Sequence, residues 1–432
     1  MRKYSASVHT LGCRVNQYES DCIISELVNT GFEIKNFDDD ACDLYIINTC
    51  TVTAASDKKS RQFIRRAKKL NPRAIIAVCG CFSQANPDIS GLQADIILGT
   101  PGKTKIAQLA LDILNGHTAR GVLDVPCISG YKEYENINAS FSEKTRAYVK
   151  IQDGCEAACS FCIVPQVRGP NKSRDYADIY NEAKHFSDAG YHELVLTGIE
   201  ISAYEGGLIN LLENLNNEPD LENIKSIRLG SVDPFILKKD FINRFACLDK
   251  VAEHLHLSLQ SGSSRILNLM RRRYNAEQVL ENISYAESKI AGLNLTADVI
   301  AGFPGETDED FEETRAIINK LRIYHAHVFT YSKRPGTDAA GFGGQVPENI
   351  KNARSKLLAQ VCERIKAEIH AENIGREFDI ILEDLHGGYY TGKTRSFMDV
   401  RIMARPPNLC GTWQRVKITG CVQDYLYGEI NI

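Results

Sequence analysis

The sequence lacks both a long apolar run and a strong excess of charge. No stretch comes near the roughly 20 consecutive apolar residues that a membrane-spanning helix needs, and the formal net charge of the 432 residues is −4. The first absence argues against a membrane-embedded protein, and the second gives no general sign of a nucleic-acid binder. The first five residues lead directly into a strand-like segment without the pattern of a secretory signal peptide. We therefore expect a cytoplasmic protein.

Cysteine, in contrast, is plentiful, with 14 residues. In a large chain without a signal peptide, thiols serve metals and catalysis more often than disulfides. Cys155, Cys159 and Cys162 form a CxxxCxxC motif. Three thiolates are one fewer than a structural zinc site or a closed ferredoxin-type cluster uses. The motif therefore predicts a 4Fe-4S cluster with one open iron, where a substrate or cofactor could bind.

A second cysteine set lies in the first 145 residues, where strand-like and helix-like segments alternate. Predicted strands cover residues 5–10, 43–48, 74–78 and 94–98, and predicted helices cover about 19–30, 55–70 and 103–114. This alternation predicts an open, parallel α/β sheet covered by helices. Cys13, Cys50 and Cys81 each follow a predicted strand, and ligands bind at the carboxyl ends of such strands. The three thiols could therefore meet in a second site, unless each is simply a small buried residue. Cys79 is an alternative to Cys81, because alternate residues of a strand face the same way.

The central region, residues 145–370, repeats the alternation on a larger scale. Its predicted strands cover residues 148–151, 193–196, 226–229, 254–259, 295–300 and 325–330. Six such units predict a partial (β/α)6 barrel with its function in the loops that follow the strands. The CxxxCxxC loop follows the first strand, and polar, glycine-bearing loops follow the next four.

The last region, residues 371–432, has short strands separated by glycine and proline turns. This pattern predicts a small all-β barrel. One acid, Asp399, stands among six basic residues: Lys393, Arg395, Arg401, Arg405, Arg415 and Lys417. Such a face can bind nucleic acid or can simply be solvated. We divide the chain into an N-terminal domain (1–128), a linker (129–144), a central domain (145–370) and the C-terminal barrel (371–432).

Several ordered blocks resemble the radical S-adenosylmethionine (SAM) methylthiotransferase family over nearly the whole chain. They are LGCRVNQYES (11–20), NTCTV (48–52), QSG (260–262), RRRY (271–274), DVIAGFPGET (298–307) and FTYSKRPGT (329–337). The family's third N-terminal cysteine lies in a Gly-Cys-x-x-Gln pattern, which selects Cys81 over Cys79. The resemblance also implies that the C-terminal region is a TRAM-like, RNA-binding barrel.

The resemblance implies a radical mechanism with two 4Fe-4S clusters. SAM would chelate the open iron held by the CxxxCxxC motif and be cleaved to a 5′-deoxyadenosyl radical, while the second cluster, on Cys13, Cys50 and Cys81, would hold the sulfur. The target, C2 of adenine, carries an unactivated hydrogen that no general base removes at neutral pH, so a cofactor must carry the chemistry. Candidate SAM contacts are Gly198, Glu200, Ser231, Ser258, Gln260 and Gly302.

The block at residues 11–20 is closest to the MtaB type, which modifies N6-threonylcarbamoyladenosine next to the anticodon of tRNA. The same chemistry on N6-isopentenyladenosine or on a ribosomal-protein aspartate is an alternative, and a two-cluster electron-transfer protein is an alternative of another class. Expected partners are the tRNA anticodon stem-loop and an electron donor such as flavodoxin or ferredoxin, with the sulfur donor unidentified. Candidate RNA contacts are Lys393, Arg395, Arg401, Arg415 and Lys417, together with Arg65 and Arg66 on a basic helix.

Overall fold

The structure is a computed structural model that describes residues 3–38, 41–86, 88, 91, 93–142, 145–404, 408–422 and 424–430. It contains two compact units. The first comprises residues 1–143, 150–182 and 332–340, and the second comprises residues 144–149, 183–331 and 341–432. Arg405, one of the six basic residues of the C-terminal region, lies outside the described residues.

The first unit is built on a six-stranded sheet with the strand order β2-β1-β3-β4-β5-β6. Its strands are β1 (Ser5–Thr10), β2 (Glu33–Ile34), β3 (Leu44–Thr49), β4 (Ile75–Gly80), β5 (Ile96–Leu98) and β6 (Val122–Asp124). Its helices are α1 (Arg14–Asn29), α2 (Ala54–Leu70), α3 (Cys81–Ala85) and α4 (Lys105–Leu114). Every residue of β3 and β4 is buried, as expected for the centre of a parallel sheet that is covered on both faces. The predicted N-terminal α/β sheet is confirmed.

The segment predicted to be a linker is hydrogen-bonded within this first unit. Tyr18 of α1 donates its hydroxyl to the carbonyl of Ile137 at 2.5 Å, and the Ala139 amide donates to Glu182 at 2.9 Å. The unit also includes α5 (Val164–Arg168) and an antiparallel pair of short strands, β8 (Gln152–Asp153) and β9 (Lys172–Ser173). These last three elements flank the CxxxCxxC loop.

The central strands form two sheets, in the orders β11-β10-β7 and β12-β13-β14-β15. The strands are β7 (Ala147–Lys150), β10 (Glu193–Thr197), β11 (Ser226–Leu229), β12 (Ser231–Val232), β13 (His254–Gln260), β14 (Asn294–Ala301) and β15 (His325–Thr330). The accompanying helices are α6 (Tyr176–Asp188), α7 (Leu208–Asn217), α8 (Lys239–Phe245), α9 (Ser264–Leu269), α10 (Ala276–Lys289) and α11 (Asp308–Lys320). Strands β7, β10, β11, β13, β14 and β15 occupy the six strand positions predicted for the (β/α)6 architecture. Only Gly230 separates β11, in the first sheet, from β12, in the second.

A long helix, α12 (Glu348–Glu372), leads into a closed barrel with the strand order β16-β17-β18-β20-β19. The barrel strands are β16 (Glu377–His386), β17 (Tyr389–Thr394), β18 (Asp399–Met403), β19 (Trp413–Val422) and β20 (Tyr425–Ile430). Burial alternates residue by residue along β17 and β18, so every second side chain enters the barrel core. The predicted small all-β barrel is confirmed. Among the described residues, no helix is both long and apolar enough to cross a membrane.

Candidate active site

Three cysteines stand at one edge of the first unit's sheet. Cys13 is the N-cap of α1 just after β1, Cys50 directly follows β3, and Cys81 begins α3 directly after β4. The three strands are parallel neighbours, and their register pairs Thr49 with Gly80, so the strands end side by side. Burial, together with the nearby thiols of Cys81 and Cys13, raises the pKa of Cys50 to about 11. The sheet therefore brings together three thiols that lie far apart in the sequence.

Two glycines allow this close approach of the strand ends. Gly12 and Gly80 both have a φ of +102°, a conformation that L side chains rarely adopt. A Cβ on Gly12 would lie 2.9 Å from Cys50 Sγ, and a Cβ on Gly80 would lie 2.6 Å from the carbonyl oxygen of Thr49. The thiol edge of the sheet thus has no room for side chains at these two positions.

Cys79 and Cys81 occupy different environments. Cys79 is fully buried in the apolar core between the sheet and its helices, and its burial raises its pKa to about 12. Cys81 packs on Ile163 and Val167, and its Sγ accepts a hydrogen bond of 3.4 Å from Nε of Arg168. The two thiols are therefore separated, with Cys79 in the apolar core and Cys81 beside Arg168, and Cys81 as the ligand stays a prediction.

The CxxxCxxC loop also belongs to the first unit. All three of its thiol residues are half-buried. The amide of Cys155 donates to the Gly169 carbonyl at 3.0 Å, and the amide of Ala157 points at Cys155 Sγ at 3.4 Å. Gly154, which opens the loop, has a φ of +71°, and a Cβ there would lie only 1.8 Å from the carbonyl oxygen of Pro170. The entry to the loop therefore requires glycine.

The two cysteine sets fit the donor requirements of iron-sulfur clusters. Each set supplies soft thiolate ligands in threes, and cluster thiolates are stabilised by nearby N–H donors such as those of Ala157 and Arg168. Within the described part of the chain, no group of three or more His, Cys, Asp or Glu side chains is arranged so that it could hold a metal ion. The thiols of Cys13, Cys50 and Cys81 are therefore neighbours without forming a ready-made ligand cage.

The segment at residues 332–340 joins both cysteine sets, a role that the sequence analysis missed. Nη2 of Arg334 donates to the hydroxyl of Thr51, the residue after Cys50, at 2.8 Å. The amide of Ala339 donates to the carbonyl of Ser160, inside the CxxxCxxC loop, at 2.8 Å. The sequence signal was the Arg-Pro-Gly turn within the FTYSKRPGT block, which served there only as part of the resemblance.

The candidate SAM contacts all lie in the second unit, at or near strand ends. Gly198 and Glu200 follow β10, Ser231 lies in β12, Ser258 and Gln260 lie in β13, and Gly302 follows β14. Because β12, β13 and β14 are parallel neighbours, the last four positions share one edge of that sheet. Whether they contact SAM stays a prediction.

Two of these positions have unusual backbone conformations. Gln260 has a φ of +61° where the β13–β14 register shifts, which is rare for a residue with a side chain. Gly302 has a φ of +73°, and a Cβ there would lie 2.4 Å from Cγ of Lys351.

Glu200, a third candidate SAM contact, has a perturbed carboxyl group. Burial, followed by the neighbouring Asp233 carboxylate, raises the pKa of Glu200. Strain and perturbed acids of this kind are common at functional sites.

The candidate RNA contacts differ in how much of their charge is available. Arg65 and Lys417 are exposed, and Arg66 is exposed with Asp38 at 2.7 Å. The others have acidic or aromatic neighbours: Lys393 pairs with Asp399, Arg415 with Glu377 and Asp379, and Arg401 lies over the Tyr425 ring.

The structure does not favour Arg395 as an RNA contact. Its guanidinium pairs with Glu253 at 2.8 Å and donates to the carbonyl oxygens of Lys225, Asp249 and Val251. Since these acceptors engage all three nitrogens of the guanidinium, a phosphate would have to compete with them. We therefore assign Arg395 to the structure of the second unit and leave it out of the RNA surface.

Comparison with known proteins identifies the family. Residues 149–318 match the model of the radical SAM superfamily, and residues 5–99 match that of the uncharacterized protein family UPF0004. A threonylcarbamoyladenosine tRNA methylthiotransferase MtaB of Bacillus subtilis is 36% identical over 438 residues, which cover 98% of this chain and 96% of the relative. A protein of the same name from Aquifex aeolicus is 35% identical, with 92% of this chain and 98% of the relative covered. A tRNA-2-methylthio-N(6)-dimethylallyladenosine synthase of Pelotomaculum thermopropionicum is 33% identical, with 100% and 98% covered.

Among solved structures, the radical SAM methyltransferase TsrM from Kitasatospora setae, with cobalamin and a [4Fe-4S] cluster bound, superposes with a TM-score of 0.57 at 15% identity. The match covers 78% of this chain and 77% of that protein, and it shows a shared fold. The curated relatives and the radical SAM match confirm the predicted transferase class and its cofactors. The chain belongs to the radical SAM methylthiotransferase family, whose members use SAM and 4Fe-4S clusters.

Proposed function

We propose that this enzyme adds a methylthio group to C2 of N6-threonylcarbamoyladenosine next to the anticodon of tRNA. The observation that carries the proposal is the pair of three-cysteine sets within one compact unit, in a chain whose relatives include proteins named for this reaction. One set alone would suit many radical enzymes. A second set is what a sulfur-transferring enzyme needs.

The two sets would have different roles. Cys155, Cys159 and Cys162 would hold the cluster that binds SAM, and Cys13, Cys50 and Cys81 would hold the cluster that carries the sulfur. When bound, these groups supply radical cleavage of a C–H bond and a sulfur for transfer.

The chain's own residues ligate, position and exclude water. Ile163 and Val167, on the helix that follows the CxxxCxxC loop, pack directly on Cys81. This apolar contact would keep water from the Cys81 thiol, where a reactive intermediate would otherwise be quenched. No side chain needs to remove the C2 hydrogen as a proton, since it is not acidic.

The exposed face of α2 would position the RNA. The helix begins four residues after Cys50 and buries Ser60, Ile64 and Ala67. Its other face exposes a group of basic side chains: Lys58, Lys59, Arg65, Arg66 and Lys69. Basic residues of this kind bind phosphates without reading the base sequence.

Replacing Arg65, Arg66 and Lys69 together with alanine is expected to weaken tRNA binding and to flatten its salt dependence. If each side chain contacts one phosphate, the slope of log Kd against log salt falls by about 0.7 to 0.9 per contact, or about 2 to 3 in all. Fluorescence anisotropy with an anticodon stem-loop at several salt concentrations measures this slope. The matched control removes three exposed charges from α10 and α11, at Lys289, Arg315 and Lys320. An equal change in slope in both triple variants would count against α2.

The substrate assignment predicts which nucleoside changes in a strain that lacks the gene. Digested tRNA from that strain, analysed by mass spectrometry, should lose 2-methylthio-N6-threonylcarbamoyladenosine and accumulate the unthiolated nucleoside. The methylthio derivative of N6-isopentenyladenosine should be unchanged. Loss of that second derivative alone would assign the enzyme to the other tRNA substrate, and no change in either would exclude both.

A further inference from the structure

A fully buried arginine touches the candidate sulfur-carrying site. Arg168, at the end of α5, donates from Nε to Cys81 Sγ at 3.4 Å. Its other nitrogens are fixed by Glu19, with Nη1 at 2.5 Å from Oε1, and by Asn16, with Nη2 at 2.6 Å from Oδ1. The guanidinium is therefore held in one orientation by carboxylate and amide partners, with one N–H left for the thiol.

The same contacts connect Arg168 to the positions that precede the other cysteines. Nδ2 of Asn16 donates to the carbonyl oxygens of Leu11 and Thr49, at 2.6 and 3.0 Å. Leu11 is two residues before Cys13, and Thr49 directly precedes Cys50. One hydrogen-bonded path thus spans all three thiol-bearing chain segments.

Arg168 belongs to a buried charge network with an excess of positive charge. Its cations are Lys103, Lys150, Arg168 and Lys172, and its carboxylates are Glu19, Glu135 and Asp153. Lys150 lies 2.9 Å from Glu19 and 2.7 Å from Asp153, and Lys172 donates to the carbonyl of Arg168 at 2.9 Å. The formal balance is one positive charge. An uncompensated buried charge is costly, and an anionic three-thiolate centre beside it would supply the compensation.

We propose that Arg168 is a positioning residue that raises the reduction potential of the cluster held by Cys13, Cys50 and Cys81, and that Glu19 opposes this effect. The inference rests on the proposed function, since it presupposes that cluster. Reduction adds negative charge to the cluster. A nearby guanidinium and an N–H···S hydrogen bond favour the reduced state, and a nearby carboxylate disfavours it. Both effects are large here because the network is buried and poorly screened.

The test uses the full-length chain with Cys155, Cys159 and Cys162 replaced by alanine, so that any remaining cluster is the second one. After anaerobic reconstitution with iron and sulfide, the midpoint potential is measured by redox titration followed by electron paramagnetic resonance. We expect Arg168→Gln to make reduction about tenfold less favourable, equivalent to about 59 mV for one electron. Glu19→Gln should shift the potential in the opposite direction. If Arg168 and Glu19 had only structural roles, their replacement would not shift the midpoint potential in opposite directions.

Arg174 provides a matched control. It is as buried as Arg168 and pairs with its own carboxylate, Glu182, at 2.5 Å. Arg174→Lys should leave the potential unchanged, whereas Arg168→Lys, which keeps the charge but not the fixed fork, should lower it by less than Arg168→Gln. Unchanged potentials in iron-loaded Arg168 variants would overturn the proposal. It would also be overturned if Arg168→Lys and Arg174→Lys both lost their bound iron to the same extent, because this would indicate a structural role. Absence of iron from the parent triple variant would instead contradict the proposed function itself.

Discussion

Replacing Cys159 with alanine is expected to abolish reductive cleavage of SAM. The loop would retain two thiolates, too few to hold the cluster that leaves one iron open for SAM. Since loss of an outer partner of a metal ligand already costs about 10- to 100-fold, loss of a ligand should cost more than about 100-fold. The measurement is the yield of 5′-deoxyadenosine from the reconstituted enzyme with dithionite and SAM, read by liquid chromatography.

Cys247→Ala is the control for this substitution. Cys247 is exposed and its thiol donates to the carbonyl of Asn243 in the second unit, away from both cysteine sets in sequence. This variant should cleave SAM at the parent rate. If Cys159→Ala produced 5′-deoxyadenosine as fast as Cys247→Ala, the CxxxCxxC loop would not be the SAM site.

The elements of the fold could be predicted from the sequence because they depend on local patterns. The apolar runs that became β3 and β4 are nearly continuous, as fully buried parallel strands require, and β15 occupies residues 325–330 as predicted. The sheet topology then explains why Cys13, Cys50 and Cys81 meet. Parallel neighbours with crossover helices must end at the same edge.

The contacts around the cysteines could not be predicted, because they join residues with no local relation. Arg168 reaches Glu19 across 149 positions, and Arg334 reaches Thr51 across 283. Hydrophobic periodicity carries no information about such polar pairs. Arg395 also shows that the sequence does not reveal polar partners. Within a basic run it resembled a phosphate contact, but in the structure it pairs with Glu253 of the second unit. Charge patterns indicate where cations lie along the chain, and only the fold shows which carboxylates neutralise them.

Replacing Cys50 with alanine is expected to abolish methylthio transfer to tRNA while SAM cleavage continues. Cys50 lies at the sheet edge with Cys13 and Cys81, and none of the three belongs to the CxxxCxxC loop. The measurement combines two assays on one reconstituted sample: 5′-deoxyadenosine by liquid chromatography and the modified nucleoside by mass spectrometry. Full methylthiolation by the Cys50→Ala variant would contradict the second site.

Cys79 and Cys81 provide the sharpest control for this prediction. They lie only two residues apart, in β4 and at the start of α3, and only Cys81 is expected to be the third ligand. Cys81→Ala should reproduce the loss seen in Cys50→Ala, including the loss of about half of the bound iron if each set holds one cluster. Cys79→Ala should keep both the iron and methylthio transfer, and should lower the free energy of unfolding by about 1 kcal/mol through the small cavity left in the core. The reverse result, with Cys79 required and Cys81 dispensable, would place the ligand inside the strand. In that case the cluster would need space that the apolar core beneath Cys79 fills with side chains, so the sheet itself would have to open.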